Sequence, residues 1–210
     1  MNSKLLQPNG YMPWEKNPEV FRINKEKPHS DIIPFPTTED ALSWNKEARH
    51  ITDLNGTWKF CYFENPDQCD AAFPQGLEGF VDTHNWGHIQ VPANWQLQGY
   101  DYPQYVNVKY PWEMTEDIMP PEIPRVYNPV GIYSRIFSAD KREKGRTFLR
   151  FEGIESCGEV YVNGSFAGYS EGSFTPAEYD ITDYVKDGEN QLVVKVLRWC
   201  DGSWLEDHDF

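Results

Sequence analysis

The dipeptide Asn163-Gly164 stands between two runs rich in β-branched and aromatic residues, in EVYVNGSFAGY. A type I′ turn needs positive φ at both central residues, and Asn-Gly supplies it at the least steric cost, so this stretch is predicted to be a β-hairpin. Its surroundings follow the same grammar. In LNGTWKFCYF the side chains of Trp58, Phe60 and Tyr62 recur at period two, which predicts a strand with one aromatic face. GIYSRIFSAD alternates again, RTFLRFEGI follows, and FTPAEYDITDYV reads as a short strand and one helical turn. Asp187-Gly188 then opens a turn before the long run NQLVVKVLRW. Seven or more short strands with almost no helical periodicity predict an all-β fold, an antiparallel β-sandwich of jelly-roll type.

Residues 1 to 50 are written differently, in Pro, Asn and charge. Two helix starts are expected there: Asn17-Pro18-Glu19, with Asn as N-cap and Pro at the first helical position, and Thr38-Glu39-Asp40. The change of composition predicts an irregular N-terminal arm over 1–50 that wraps a sandwich domain over 51–210. Between residues 64 and 130, Pro and Trp interrupt the strand pattern. Long loops are expected there, and loops on a rigid sandwich are where binding residues tend to sit.

With 39% hydrophobic and 15% aromatic residues the chain can fill a core. Its 33 acids against 19 bases, a net charge of −14, argue against a nucleic-acid or anionic-membrane partner. No run reaches the roughly 18 apolar residues of a membrane span, and MNSKLLQPNG lacks the apolar centre of a signal peptide, so a cytoplasmic location is expected. Cys61, Cys69, Cys157 and Cys200 contain no C-x-x-C pair and are expected as reduced thiols, outside any disulfide or zinc framework. His84 and His88 have helical spacing, but THNWGH does not read as a helix, so they are expected on surface loops.

Two stretches bear on binding. VPANWQLQGYDYPQYVNVKYPW mixes Trp95, Tyr100, Tyr102, Tyr105, Tyr110 and Trp112 with amides and Asp101. Such a mixture suits a sugar, whose C–H face packs on rings while its hydroxyls take polar partners; the same rings in a Pro-rich connection can instead cover one end of a sandwich. The closing run RWCDGSWLEDHDF sets four carboxylates among two tryptophans and a phenylalanine, a composition that a sugar or a hard cation would want.

Together with NPVGIYSRIF and GYSEGS, these stretches resemble the N-terminal sugar-binding domain of large bacterial β-galactosidases, in glycoside hydrolase family two. The likeness runs in order from about residue 10 to 210, and RW-x-DGS-x-LED-x-D is its most specific part. It implies a galactose-binding-domain-like jelly roll, with one more strand expected beyond Phe210, ahead of immunoglobulin-like domains and a catalytic (β/α)₈ barrel.

The resemblance also implies roles for single residues. Asn107 would hydrogen-bond the galactosyl group, and Asp209 would ligate a sodium ion beside the same sugar. Asn17, the carbonyl of Val20, Glu171 and Asp201 would hold a magnesium ion that ties the arm to the sandwich, an oxygen set suited to a hard cation. Glu171 stands where the family pattern has a glutamine, and Trp14 where it has an acid. The catalytic carboxylates, which in a retaining glycosidase lie about 5–5.5 Å apart, belong to the barrel in that family. Asp101, Glu206 and Asp207 are accordingly expected as loop and turn carboxylates. The whole enzyme would be a cytoplasmic homo-oligomer that uses Na⁺ and Mg²⁺ and hydrolyses terminal β-D-galactosides such as lactose. The alternative is a stand-alone carbohydrate-binding module with no enzymatic parent.

Overall fold

The computed structural model describes residues 13–30, 33–48, 50–140 and 145–206. Its strands are β1 (Arg22–Ile23), β2 (Gly56–Phe63), β3 (Gly87–Val91), β4 (Val130–Ala139), β5 (Phe148–Phe151), β6 (Cys157–Val162), β7 (Ser165–Glu171), β8 (Ala177–Asp180) and β9 (Gly188–Leu197). Two short helices, α1 (Thr38–Leu42) and α2 (Pro66–Ala72), and several 3-10 turns lie between them. All strand pairings are antiparallel. Seven strands form one sheet in the order β1-β7-β6-β9-β4-β2-β3, and β5 and β8 form a second. The fold is the all-β sandwich that the alternating runs predict, with layers of unequal width.

The strands alternate because both faces of the large sheet are covered. Trp58, Phe60 and Tyr62 of β2 and Leu192, Val194 and Val196 of β9 point toward the small sheet, where Leu149, Ala177 and Tyr179 meet them. Val193 and Leu197 of β9, Val130 and Ile132 of β4 and Tyr161 of β6 point the other way, under Cys69 of α2 and the long loops. Burial on both sides explains the near-continuous apolar text of β9, as it does for any strand with no solvent face.

The hairpin forms where Asn163-Gly164 predicts it, with φ of 50° and 74° at the two turn residues. The Asn163 amide also ties the turn to its neighbours: Nδ2 donates to the Tyr184 carbonyl at 2.9 Å, and Oδ1 accepts from the Gln191 amide at 3.0 Å. Past the turn, Val160 pairs with Gly168 and Tyr161 with Phe166, which leaves Ala167 as an extra residue. A bulge of this kind shifts the side-chain phase of everything beyond it. Tyr169 consequently joins Val193 and Leu197 on the loop-covered face, and Glu171, two residues on, follows it there.

The arm differs in part from expectation. No helix starts at Asn17; this residue closes the 3-10 turn Trp14–Lys16, and its Oδ1 accepts from the Glu19 amide at 3.2 Å. The chain must then extend to pair Arg22 and Ile23 with Ser170 and Tyr169, and that edge pairing overrides the Asn-Pro signal. The second start forms at Thr38 as expected, with Thr37 as N-cap accepting from the Asp40 amide at 3.1 Å. Trp14 lies on Phe166 and Tyr169, at ring-centroid distances of 4.8 and 5.6 Å. Among the described residues of 13–48, Asn17 alone is buried.

Gly164 O accepts from Gly79 N at 2.8 Å, and a Cβ at Gly164 would collide with the Gly79 backbone. Gly164→Val, which also forces a branched side chain to positive φ, is expected to destabilise the chain by at least ~2 kcal/mol. Urea unfolding with an unchanged m-value reads this out; a midpoint like that of the parent chain would contradict the account of the turn.

Candidate functional site

The bulge, the end of β9 and the arm converge on one pocket. Glu171 ends β7, and Asp201 opens the 3-10 turn Asp201–Trp204 that follows β9. That turn packs against the arm's first 3-10 turn, which Asn17 closes. Ligand atoms of Glu171, Asp201 and Cys200 all lie within 4.8 Å of one another. Asp201 is 4% exposed, and neither of its carboxylate oxygens has a hydrogen-bond donor in bonding geometry. Glu171 Oε1 accepts from the Tyr169 hydroxyl at 2.6 Å, while Oε2 faces Gly202, where a Cβ would stand only 2.9 Å away.

Two acids this close and this dry cannot both ionise without a counter-charge. Burial, reinforced by Asp201 and opposed by the Tyr169 hydrogen bond, pushes Glu171 from the ordinary 4.5 up to about 8. Burial likewise raises Asp201, against the opposing pull of the nearby Glu171 carboxyl and of the Gly202 and Asp201 amides. A hydrogen bond between the two carboxyls would require one of them to be protonated. The pair either keeps a proton or takes a cation, and the carboxylate oxygens of Glu171 and Asp201 suit a hard divalent ion, with Asn17 buried at the end of the adjoining turn. A glycosidase dyad is a poor fit, because such a pair must flank an open cleft wide enough for a sugar ring, and this one lies beneath a turn.

Of the remaining residues of this set, Val20 is half-buried, and its amide donates to the Asn17 carbonyl at 2.8 Å. The Trp14 carbonyl accepts from Asn17 N at 2.9 Å within the turn. Glu171 N in turn donates to the Phe21 carbonyl at 3.0 Å, so the arm runs directly alongside the acid pair.

Asn107 sits on an exposed bend of the loop before β4. Asp207 and Asp209 lie outside the described residues. The aromatic stretch divides between the two roles open to it: Trp95 and Trp112 are buried, whereas Tyr102 and Tyr105 are exposed. The two tryptophans of the closing run are packed as well. Trp112 contacts Trp199 and Trp204 at 5.5 and 5.0 Å, and the Tyr110 hydroxyl donates to the Trp204 carbonyl at 2.8 Å. Trp199 is buried and Trp204 half-buried, so these tryptophans cover the sandwich and offer no open platform for a sugar. Glu206 is a turn carboxylate, accepting from the amide and hydroxyl of Ser173 at 2.8 Å each.

Asp101 does more than expected of a loop acid. Its side chain is fully buried and takes Arg198 Nη1 at 2.7 Å, the Trp95 indole at 3.2 Å, the Tyr102 amide at 2.8 Å and the Tyr127 hydroxyl. This ion pair pins the root of the Asn107 loop to the end of β9. Its partners are 97 residues apart in the chain, so no local motif announces it.

Residues 51–210 match the family described as glycosyl hydrolases family 2, sugar binding domain. The chain belongs to this family. Its relatives include proteins named beta-galactosidase: one from Priestia megaterium is 47% identical over 96% of this chain, and one from Clostridium acetobutylicum is 42% identical over 95%. A third, from Halalkalibacterium halodurans, is 43% identical over 98% of this chain. The chain spans only 19%, 22% and 20% of the length of these relatives. Among solved structures it is similar to the crystal structure of Ruminococcus gnavus beta-glucuronidase, with a TM-score of 0.48 and 24% identity over 69% of this chain and 21% of that one. No helix among the described residues of this family 2 domain is long and apolar enough to cross a membrane.

Two outcomes follow for the isolated domain. In chelator, folded Glu171 keeps a proton that the unfolded chain has lost, so stability falls as pH rises from 4.5 through about 8, and a divalent cation flattens that slope. Urea midpoints at pH 5 and pH 8, with and without Mg²⁺, measure it; stability that rises over this window in chelator would contradict the assignment. Asp101→Ala strands Arg198 without its anion and is expected to cost about 3–5 kcal/mol, with hydrogen exchange accelerating first over residues 100–112.

Proposed function

We propose that the chain is the non-catalytic sugar-binding domain of a larger β-galactosidase, a retaining glycoside hydrolase acting on terminal β-D-galactosides such as lactose. The observation that carries this reading is the family match over 51–210 together with relatives named beta-galactosidase, of which the chain spans 19–22%. In this reading the catalytic carboxylates belong to another domain, and the parent enzyme is a cytoplasmic homo-oligomer, as the family resemblance implies. The exposed loop supports a second domain as neighbour: Val108 and Tyr105, on either side of Asn107, are 87% and 68% exposed, more apolar surface than a free loop tip ordinarily offers.

Within the whole enzyme, Asn107 would offer its amide to the galactosyl hydroxyls, and Asp209 its carboxylate to a sodium ion beside them. Magnesium would be held by Asn17, the Val20 carbonyl, Glu171 and Asp201. When bound, it supplies the positive charge that the buried acid pair lacks. The protein's own part is mechanical: Asp101 and Arg198 hold the loop that carries Asn107, and the acid pair fixes the arm against β7. Isolated amide and carboxylate contacts of about 1 kcal/mol each cannot capture a sugar from water. They gain weight only when a neighbouring domain closes over the sugar and excludes solvent.

The longer protein is therefore expected to hydrolyse a nitrophenyl β-galactoside and the isolated chain to leave it intact, with galactose bound no tighter than roughly millimolar. A longer protein inactive on β-galactosides, or a chain active alone, would overturn the reading. In the longer enzyme, Asp209→Ala is expected to lose the sodium response and lower turnover, and Asn107→Ala to raise the galactoside KM; steady-state kinetics across a sodium titration reads both.

A further inference from the structure

The acid pair has a third neighbour that an oxygen-only cation set does not use. Cys200 is 2% exposed, and its sulfur lies within 4.8 Å of ligand atoms of both Glu171 and Asp201. At Gly202 a Cβ would stand 2.9 Å from Glu171 Oε2 and 3.3 Å from Cys200 Sγ, so the glycine keeps open the space between an oxygen and a sulfur. Among the described residues, neither oxygen of the buried Asp201 carboxylate has a hydrogen-bond donor, so this side chain faces the cluster unpartnered. Cys157, opposite Glu171 in the β6–β7 register, is buried beside Cys200 and sets a second thiol near the first.

Sulfur changes which cation such a pocket prefers. Magnesium takes hard oxygens in an octahedron, whereas zinc accepts a thiolate with carboxylates in a tetrahedron. We propose that Cys200, Glu171 and Asp201 form a binding site for a thiophilic divalent cation of the zinc class, in competition with magnesium for the same pocket. The inference rests on the cation reading of that pocket given above and adds its selectivity. A tetrahedral centre with bonds of about 2.0–2.3 Å sets neighbouring ligand atoms roughly 3.5 Å apart, a closure of about 1 Å that lies within the reach of side-chain rotation. The metal–sulfur bond forms as the thiol proton leaves to solvent, and the fourth position falls to Asn17 Oδ1 or to water.

The test uses the chain of residues 1–210, titrated with Cd²⁺ while following sulfur-to-cadmium charge-transfer absorption, and with Zn²⁺ and Mg²⁺ by equilibrium dialysis. One equivalent of cadmium is expected to raise the band, and zinc to abolish it. Cys200→Ser, which keeps a competent N-cap for the closing turn, is expected to lose the band and weaken zinc by at least about tenfold while magnesium binding stays within about twofold. Zinc-edge X-ray absorption on the unmutated chain is expected to read one sulfur at about 2.3 Å, a measurement that stands if the variant does not fold. A zinc shell of oxygen and nitrogen alone, or a Cys200→Ser chain that binds zinc unchanged, overturns the proposal and leaves the magnesium reading standing. Sulfur-dependent zinc binding in a chain that takes no magnesium supports the proposal and overturns the magnesium reading; binding of neither metal overturns both.

Discussion

The constraint on which the rest of the structure depends is a pair of carboxyls, the half-buried Glu171 and the buried Asp201, set together with no side-chain cation beside them among the described residues. Burying one ionised acid costs several kcal/mol, and burying two side by side costs more. The fold nevertheless brings them together by three separate devices: the bulge that leaves Ala167 unpaired, the 3-10 turn after β9, and the arm whose one buried described residue is Asn17. Such convergence on an unfavourable contact, which core packing does not require, is what supports the proposal of a cation site.

A second charge cluster shows what the same face looks like when it is internally balanced. Lys195 of β9 is half-buried and pairs with Glu159 at 3.1 Å, with Glu15 of the arm close by. Desolvation alone would lower the Lys195 pKa; the carboxylates of Glu159 and Glu15 outweigh it and raise it. This acid–base–acid set carries its own cation. Among the described residues, the Glu171–Asp201 pair, reached by the same arm, has no such cation. Four consecutive residues then link pocket and loop: Arg198 holds Asp101, Trp199 exchanges hydrogen bonds with Asn128 at 2.9 and 3.0 Å, and Cys200 and Asp201 enter the pocket.

Much of the sandwich was legible because its signals are local. Asn163-Gly164 specifies its turn through φ, and the Trp58-Phe60-Tyr62 alternation specifies a face. The acids of the pocket were legible only through resemblance, since Glu171 and Asp201 are 30 residues apart and obey no spacing rule. Cys200 was hidden for the opposite reason: without a C-x-x-C pair its spacing argued against a metal, and only the β6–β7–β9 register brings it to the acids. The Asn17 helix start failed because pairing of the arm with β7 outweighs a cap preference of about 1 kcal/mol. Asp101 reads in the sequence as a loop carboxylate, which it is, but its burial against Arg198 could not be read because that partner lies 97 residues away.

The central claim is that the acid pair is a cation site. It is tested most directly by crystals of the chain grown with Mn²⁺, an oxygen-seeking ion that scatters anomalously. The account predicts an anomalous peak at bonding distance from Glu171 and Asp201, with Asn17 in reach. Glu171 and Asp201 hydrogen-bonded to each other, with no anomalous density between them, would contradict it.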